Sequence, residues 1–151
     1  MSAARLFATW FGSGYSKVAP GTVGSVCTLP LYALLARVPA LAYWAVAVAV
    51  TLLGVWSANA TARELDDEDP GAVVIDEVAG VLLAFGFARD LGWPALVAAF
   101  VLFRVFDIVK PGPVDWVQNL KPPGLGIMAD DVLAGIGAGA CVRGAYMLLG
   151  S

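Results

Sequence analysis

The sequence predicts an all-α protein, a compact polytopic membrane helical bundle of about five hydrophobic helical segments, some short or re-entrant. Three observations predict it. First, 60% of the residues are hydrophobic and 14% are charged, whereas an average soluble domain is about a quarter charged. Second, the apolar residues come in blocks divided by polar loops, and mean hydropathy is +0.80. Third, the longest block, "LAYWAVAVAVTLLGVWSANA" (41–60), carries no charge and is long enough for a bilayer core of about 30 Å. Composition alone also admits a very apolar soluble protein that buries its surface in an oligomer. A chain of 151 residues suits one domain, here a membrane-embedded one over 1–151.

In chain order, the opening "MSAARLFATWFGSGYS" is too short and too broken by glycine for a signal peptide. Segment 23–36 is short for a span and carries Pro30. Segment 41–60 follows. Segments 77–88 and 93–106 flank a turn at Arg89 and Asp90, and Pro94 suits the first turn of the second. The last segment, 131–149, has a small-residue face of Gly135, Gly137, Ala138 and Gly139 for close packing against another helix.

Threaded as two hairpins and a final helix, the turns near 37–40 and 89–92 fall on one side. Polar regions 12–24, 62–76 and 107–130 fall together on the other. That side also collects Arg5, Lys17, Arg63, Lys110 and Lys121, with Arg104 nearby, against Arg37, Arg89 and Arg143 opposite. The positive-inside tendency makes the polar-loop side cytoplasmic.

Several function classes drop out. Net charge is −3, and a nucleic-acid binder needs a basic stripe. The absence of histidine removes every His-based nucleophile, general base and metal ligand. Cys27 and Cys141 lie in apolar stretches outside any C-x-x-C unit, which points to helix packing.

Four polar stretches carry chemistry. In "LFRVFDIVKP", Arg104, Asp107 and Lys110 recur every third residue and so share one helix face. A plain salt-bridge ladder contributes only about 0.2–0.5 kcal/mol per pair, weak compensation for apolar placement, so a ligand-facing role is expected. Pro111 and Pro113 then end the helix. In "GSGYSKVAPGTVGS" (12–25), glycines and small hydroxyls form a loop whose amides can face an anion, with Thr22 or Ser25 capping the next helix. It is not a Walker A loop; the plainer reading is a turn entering a membrane helix. In "RELDDEDPGAVVIDEVAG", residues 66–69 read as a solvated loop. Asp76 and Glu77 open an apolar helix, where they can complement its N-terminus or reach a divalent cation. In "NLKPPGLGIMADDVLAG", Asp130 and Asp131 are expected to start the last helix. Carboxylates plus cations without histidine, gathered on one membrane side, suit phosphate-ester chemistry.

The stretches "GSGYSKVAPGTVGS", "IDEVAG", "FRVFDIVKPGP" and "GLGIMADDVLAG" resemble, in order, the motifs of the phosphatidylglycerophosphatase A family. The resemblance implies a Mg²⁺-dependent phosphatase of the bacterial inner membrane, multi-pass with a cytoplasm-facing site. It would hydrolyse phosphatidylglycerophosphate to phosphatidylglycerol and phosphate. Asp76, Glu77, Arg104, Asp107, Lys110, Asp130 and Asp131 stand where the family's polar motif residues stand; Lys17 lies outside that pattern. The expected catalytic group is Asp76, Glu77, Arg104, Asp107, Lys110 and Asp131. The expected Mg²⁺ ligands are Glu77, Asp107, Asp130 and Asp131, with Asp76 as a further candidate, activating a water for direct attack. Phosphate is expected to meet Arg104, Lys110 and the loop residues Ser13, Gly14, Gly21 and Thr22. Its partners would be the phospholipid substrate and the bilayer, with no nucleic acid; a homo-oligomer is compatible with it. The competing readings are a phosphatase of another phospholipid such as phosphatidic acid, a transporter using intramembrane charges, and a noncatalytic assembly protein.

Overall fold

The computed structural model describes residues 1–150, and among them there is no strand. The helices are α1 (Ala3–Ala8), α2 (Pro20–Cys27), α3 (Leu29–Leu35), α4 (Ala40–Leu65), α5 (Ile75–Ala88), α6 (Trp93–Val109), α7 (Pro113–Val117) and α8 (Pro123–Leu149), with a 3-10 turn at Ser13–Tyr15. The five expected segments are present. The short first one, 23–36, is the pair α2 and α3, an apolar run of Pro20–Leu35 too short to span. Prolines open several helices: Pro20 in α2, Pro94 in α6, Pro113 in α7 and Pro123 in α8 each stand in the first turn, where a missing N–H costs no helical bond.

Helix α5 is the axis of the bundle. Eleven of its 14 residues are buried, and α8, α4, α6 and α2 pack round it. Glycine makes the tightest of these contacts. A Cβ on Gly135 would run into the carbonyl oxygen of Gly80, and one on Gly80 would meet the Phe103 ring. Gly139 sits against Phe87, 2.7 Å from where its Cβ would lie. The small-residue face read in the last segment is therefore the α5–α8 seam, although Gly137 meets Phe106 of α6 instead. Tyr43 adds a polar tie, its buried hydroxyl donating to the Leu82 carbonyl at 2.6 Å.

The exterior is apolar. On α6, Val97, Val101, Val105 and Ile108 are exposed, Ile108 at 71%. On α4, so are Leu41, Val48, Leu52 and Trp56. Helices α4 and α8 are 26 and 27 residues long and apolar enough to cross a membrane, yet only 28% of each apolar window is buried. A core helix of a water-soluble protein would be mostly buried, so this pattern is that of a bundle facing a nonpolar solvent.

Two expectations are corrected. The last helix begins at Pro123, so Asp130 and Asp131 lie two turns inside it rather than at its start. The "KPPGLG" stretch reads as loop from its glycines and prolines, but Gly124 is needed where α8 meets Val55 and Asn59 of α4. Gly126 is needed beside the carbonyls of Gln118 and Leu120. Nor do Thr22 and Ser25 cap a helix: both lie within α2, whose N-cap is Ala19, and the Ser25 hydroxyl donates to the Gly21 carbonyl at 2.9 Å.

Gly135→Val should destabilise the protein by about 1–3 kcal/mol through overpacking of the seam. Gly144→Ala, with open space around it, should stay within about 0.5 kcal/mol. Thermal unfolding of both in detergent checks this; equal midpoints would mean that α5 and α8 do not cross there.

Candidate active site

The three polar regions meet at one end of the bundle, as the threading expects. They wall a cavity of about 420 Å³ lined by Gly21 from α2, Asp76 and Glu77 from α5, Asp107 from α6, Lys110 after it, and Asp130 and Asp131 from α8. The loop residues Glu68, Asp69, Gln118 and Lys121 line it as well. The segment before α5 is fixed by a bond from the Val74 amide to the Ala8 carbonyl, 2.9 Å. Asp76 and Glu77 then occupy the first turn of α5, where a carboxylate complements the helix N-terminus.

One carboxylate oxygen from each of Asp76, Glu77 and Asp131 lies within 4.8 Å of the others. One oxygen on each of the three is buried and has no hydrogen-bond partner: Oδ1 of Asp76, Oε2 of Glu77 and Oδ2 of Asp131. Buried carboxylate oxygens normally find donors. Three orphans in one place, all hard oxygen donors, fit a divalent cation such as Mg²⁺.

The other charged residues pair off around this group. Arg104 Nη1 is 2.8 Å from Asp107 Oδ2, both side chains less than a fifth exposed. The same guanidinium approaches the Ser25 hydroxyl at 3.4 Å and the Thr22 hydroxyl at 3.5 Å. Lys110 does not continue the expected ladder. Helix α6 stops at Val109, Lys110 takes a left-handed conformation (φ 48°) as its C-cap, and its ammonium donates to Asp130 and to Gln118 Oε1, 3.2 Å away. Burial works against the Lys110 charge. The hydrogen bond to Asp130 and the fields of Asp130, Asp107 and Asp131 outweigh it and hold the pKa above the usual lysine value.

Set against the residues read from the sequence, most converge. Asp76, Glu77, Asp107, Lys110, Asp130, Asp131 and Gly21 line one cavity, and Arg104 and Thr22 adjoin it through Asp107 and each other. The carboxylate trio differs from the expected ligand set of Glu77, Asp107, Asp130 and Asp131. Asp76 takes part, while Asp107 and Asp130 are engaged by Arg104 and Lys110. Ser13 and Gly14 are not on the cavity lining. Their amides are bonded to the carbonyls of Trp10 (3.2 Å) and Thr9 (3.0 Å), and Gly14 is buried against Ala72 and Val74. They have no free donor for an anion. The amides of Gly21 and Thr22, in the first turn of α2, have no intrahelical acceptor and keep that capacity. Ser25 reads from the sequence only as a helix cap, and Gln118 is not singled out. Only their place in the converging loops could have suggested them. Lys17 is exposed and outside the cavity.

Carboxylates, a guanidinium and an ammonium gathered at one end of a bundle with an apolar exterior agree with what the chain is similar to; the protein is a hydrolase of phosphate monoesters. The family model of phosphatidylglycerophosphatase A matches residues 6–146. The phosphatidylglycerophosphatase A of Escherichia coli K12 is 35% identical over 132 residues, covering 87% of this chain and 77% of the relative. That of Haemophilus influenzae Rd is 38% identical over 133 residues, 87% and 82%. A Bacteroides thetaiotaomicron protein with the provisional name phosphatidylinositol-3-phosphatase is 45% identical over 141 residues, 87% and 86%. The chain belongs to the phosphatidylglycerophosphatase A family. No solved structure is significantly similar to it.

Gly21 offers a sharp test of the geometry. A Cβ there would collide with Glu77 Oε1 and lie 3.6 Å from Arg104 Nη1. Gly21→Ala should lower kcat for phosphate release by about 10²-fold, the scale of a 1 Å misplacement, with the helical circular dichroism unchanged. Wild-type kcat would show that neither group needs its observed position.

Proposed function

We propose that the chain hydrolyses phosphatidylglycerophosphate to phosphatidylglycerol and inorganic phosphate at the cytoplasmic face of a bacterial inner membrane, crossing that membrane several times. The observation that carries the reading is the trio of unpartnered carboxylates beside Arg104, at one end of a bundle with a lipid-compatible exterior. A lipid phosphate monoester lies at that depth, between water and hydrocarbon.

Asp76, Glu77 and Asp131 would hold Mg²⁺. When bound, the ion neutralises phosphate oxygens and makes water a better nucleophile. The chain's own groups do the rest. Arg104, steadied by Asp107 and by the hydroxyls of Thr22 and Ser25, presents a planar pair of donors to the phosphate. Lys110, parked on Asp130 and lining the same cavity, would be a second cation available to charge that develops on the leaving oxygen. The free amides of Gly21 and Thr22 add neutral donors at a helix N-terminus. One carboxylate of the cavity accepts a proton from the attacking water.

A second reading keeps the chemistry and changes the head group, and the Bacteroides relative's name favours it. The deciding assay measures phosphate release by the detergent-purified protein from phosphatidylglycerophosphate, phosphatidic acid and phosphatidylinositol 3-phosphate in parallel, with Mg²⁺ and with EDTA. The first lipid should be the best substrate and EDTA should stop its turnover. No release from any lipid by folded protein would return the weight to a transport or assembly role.

Asp107→Asn should abolish turnover in a folded protein, because Arg104 loses its anchor; an active, metal-responsive variant would sink the assignment. Asp131→Asn, which removes a direct ligand, should weaken Mg²⁺ binding by more than about 10-fold, the least that losing even a supporting contact costs, by titration calorimetry.

A further inference from the structure

At the far end of the bundle lies a second cavity, of about 400 Å³. It is lined by Val38, Pro39 and Ala40 ahead of and opening α4, Trp44, Gly86, Arg89 and Asp90 around the end of α5, and Arg143 of α8. The proposed reaction uses none of these residues. We infer that this cavity, through Arg89 and Arg143, binds the head-group phosphate of an anionic phospholipid in the opposite leaflet, as a noncatalytic lipid site. The inference rests on the membrane placement proposed above.

Depth is the first argument. Asp76 and Arg89 are separated by thirteen residues of α5, about 20 Å at the helical rise. Asp131 and Arg143 are separated by twelve residues of α8, about 18 Å. A bilayer core is about 30 Å thick. With the carboxylates at one head-group level, both arginines fall short of the opposite one by about 10 Å. A guanidinium at that depth is expensive unless an anion or water reaches it.

Charge is the second. Arg143 is paired with Asp90 at 3.0 Å, a partner 60% exposed. Arg89 is in ion-pair contact with no carboxylate among the described residues. Its Nη2 donates to the Val38 carbonyl at 2.6 Å, and its guanidinium lies 4.8 Å from the centroid of the Tyr43 ring. Its Nη1 is buried without any partner. Ala40 opens the long helix α4 at the same wall, adding the positive partial charge of a helix N-terminus. Two cations, one exposed anion and a helix start leave the cavity short of negative charge. Trp44 lines the same space, and indole rings favour the head-group boundary. A lipid phosphate drawn inward would satisfy Arg89 and thin the leaflet locally.

The test is native mass spectrometry of the full chain in detergent, with dioleoyl phosphatidylglycerol, dioleoyl phosphatidylcholine or inorganic phosphate added. A phosphatidylglycerol adduct should be retained about tenfold better than the phosphatidylcholine one. It should fall about tenfold in Arg143→Gln, the scale of one lost charge-assisted bond. It should strengthen in Asp90→Asn, which removes the competing anion, and persist in Asp107→Asn, whose change is at the other end. Equal retention of the two lipids, an adduct indifferent to Arg143→Gln, or displacement by inorganic phosphate at the same concentration would overturn the site. Loss in Asp107→Asn would place the lipid in the catalytic cavity and overturn it too. Phosphate release from phosphatidylglycerophosphate by the same wild-type preparation judges the proposed function separately.

Discussion

Where α5 crosses α8, Gly80 and Gly135 meet backbone to backbone. Glu77 lies one turn before Gly80 and Asp131 one turn before Gly135, so the crossing fixes how near the two carboxylates come. Both helices run from the polar end to the far end, which places their acidic residues at the same level. Three carboxylates within 4.8 Å resist such crowding. A pair of full charges at that separation repels by on the order of 3 kcal/mol at an effective dielectric of about 20. The groups stay together because the helices bearing them cannot separate without opening the seam. A side chain at Gly135 would move the helix axes apart and loosen the trio, whereas one at Gly80 would first meet the Phe103 ring of α6.

Helix α6 shows how the same bundle tolerates charge in an apolar sequence. Its outward stripe, Val97, Val101, Val105 and Ile108, is exposed, while Phe103 is buried and Arg104 and Asp107 turn inward. The arrangement inverts that of a soluble protein, where the charged stripe faces water. Inside, the pairing of Arg104 with Asp107 is less a source of stability than a means of aiming the guanidinium. Surface-like pairs contribute little, but Arg104 held by Asp107 and Ser25 at Nη1 and by Thr22 at Nη2 has few rotamers left. Preorganisation of this kind is what a site acting on developing charge requires.

Much of this was legible in the residues. Block lengths gave the five segments, and alternating loops gave the two ends; the two cavities lie at those ends. The three-residue spacing of Arg104, Asp107 and Lys110 gave the charged face, but not where it stops. The αL turn at Lys110 swings that side chain from the ladder to Asp130, a contact twenty residues away that no local pattern carries. The start of α8 was hidden for a related reason. Proline and glycine punctuate loops when only neighbours are considered. Here Pro123 begins a helix, and Gly124 and Gly126 stay in it because α4 and the preceding turn leave no room for a Cβ. Ser13 and Gly14 belong to a motif rich in small residues, yet their amides are consumed within the turn that seats Gly14 beneath Ala72. The signal for an anion loop and the signal for a close backbone approach are the same glycines, and only packing separates them.

The charge balance of the carboxylate-lined cavity bears on what must enter it. Asp76, Glu77, Asp107, Asp130 and Asp131 line it, and Arg104 and Lys110 supply the opposing charge. With Glu68, Asp69 and Lys121 also on the lining, seven acids stand against Lys110, Lys121 and the adjoining Arg104, an excess of negative charge that opposes a phosphate monoester. Arg104 and Lys110 each already hold a carboxylate, so neither is a free cation waiting for substrate. The excess negative charge must be offset by protons or by added cations before a phosphate approaches. Protons would leave the trio as donors and occupy the lone pairs that now lack partners. A divalent cation would use those lone pairs directly, and it would release Asp107 and Asp130 from sole responsibility for their basic partners. The unpartnered oxygens suit a cation better than protons, and on the proposed function phosphate binding would be an exchange in which Arg104 and Lys110 trade part of a carboxylate contact for a phosphate one. Such an exchange keeps the cations from being stranded in an apolar bundle between turnovers.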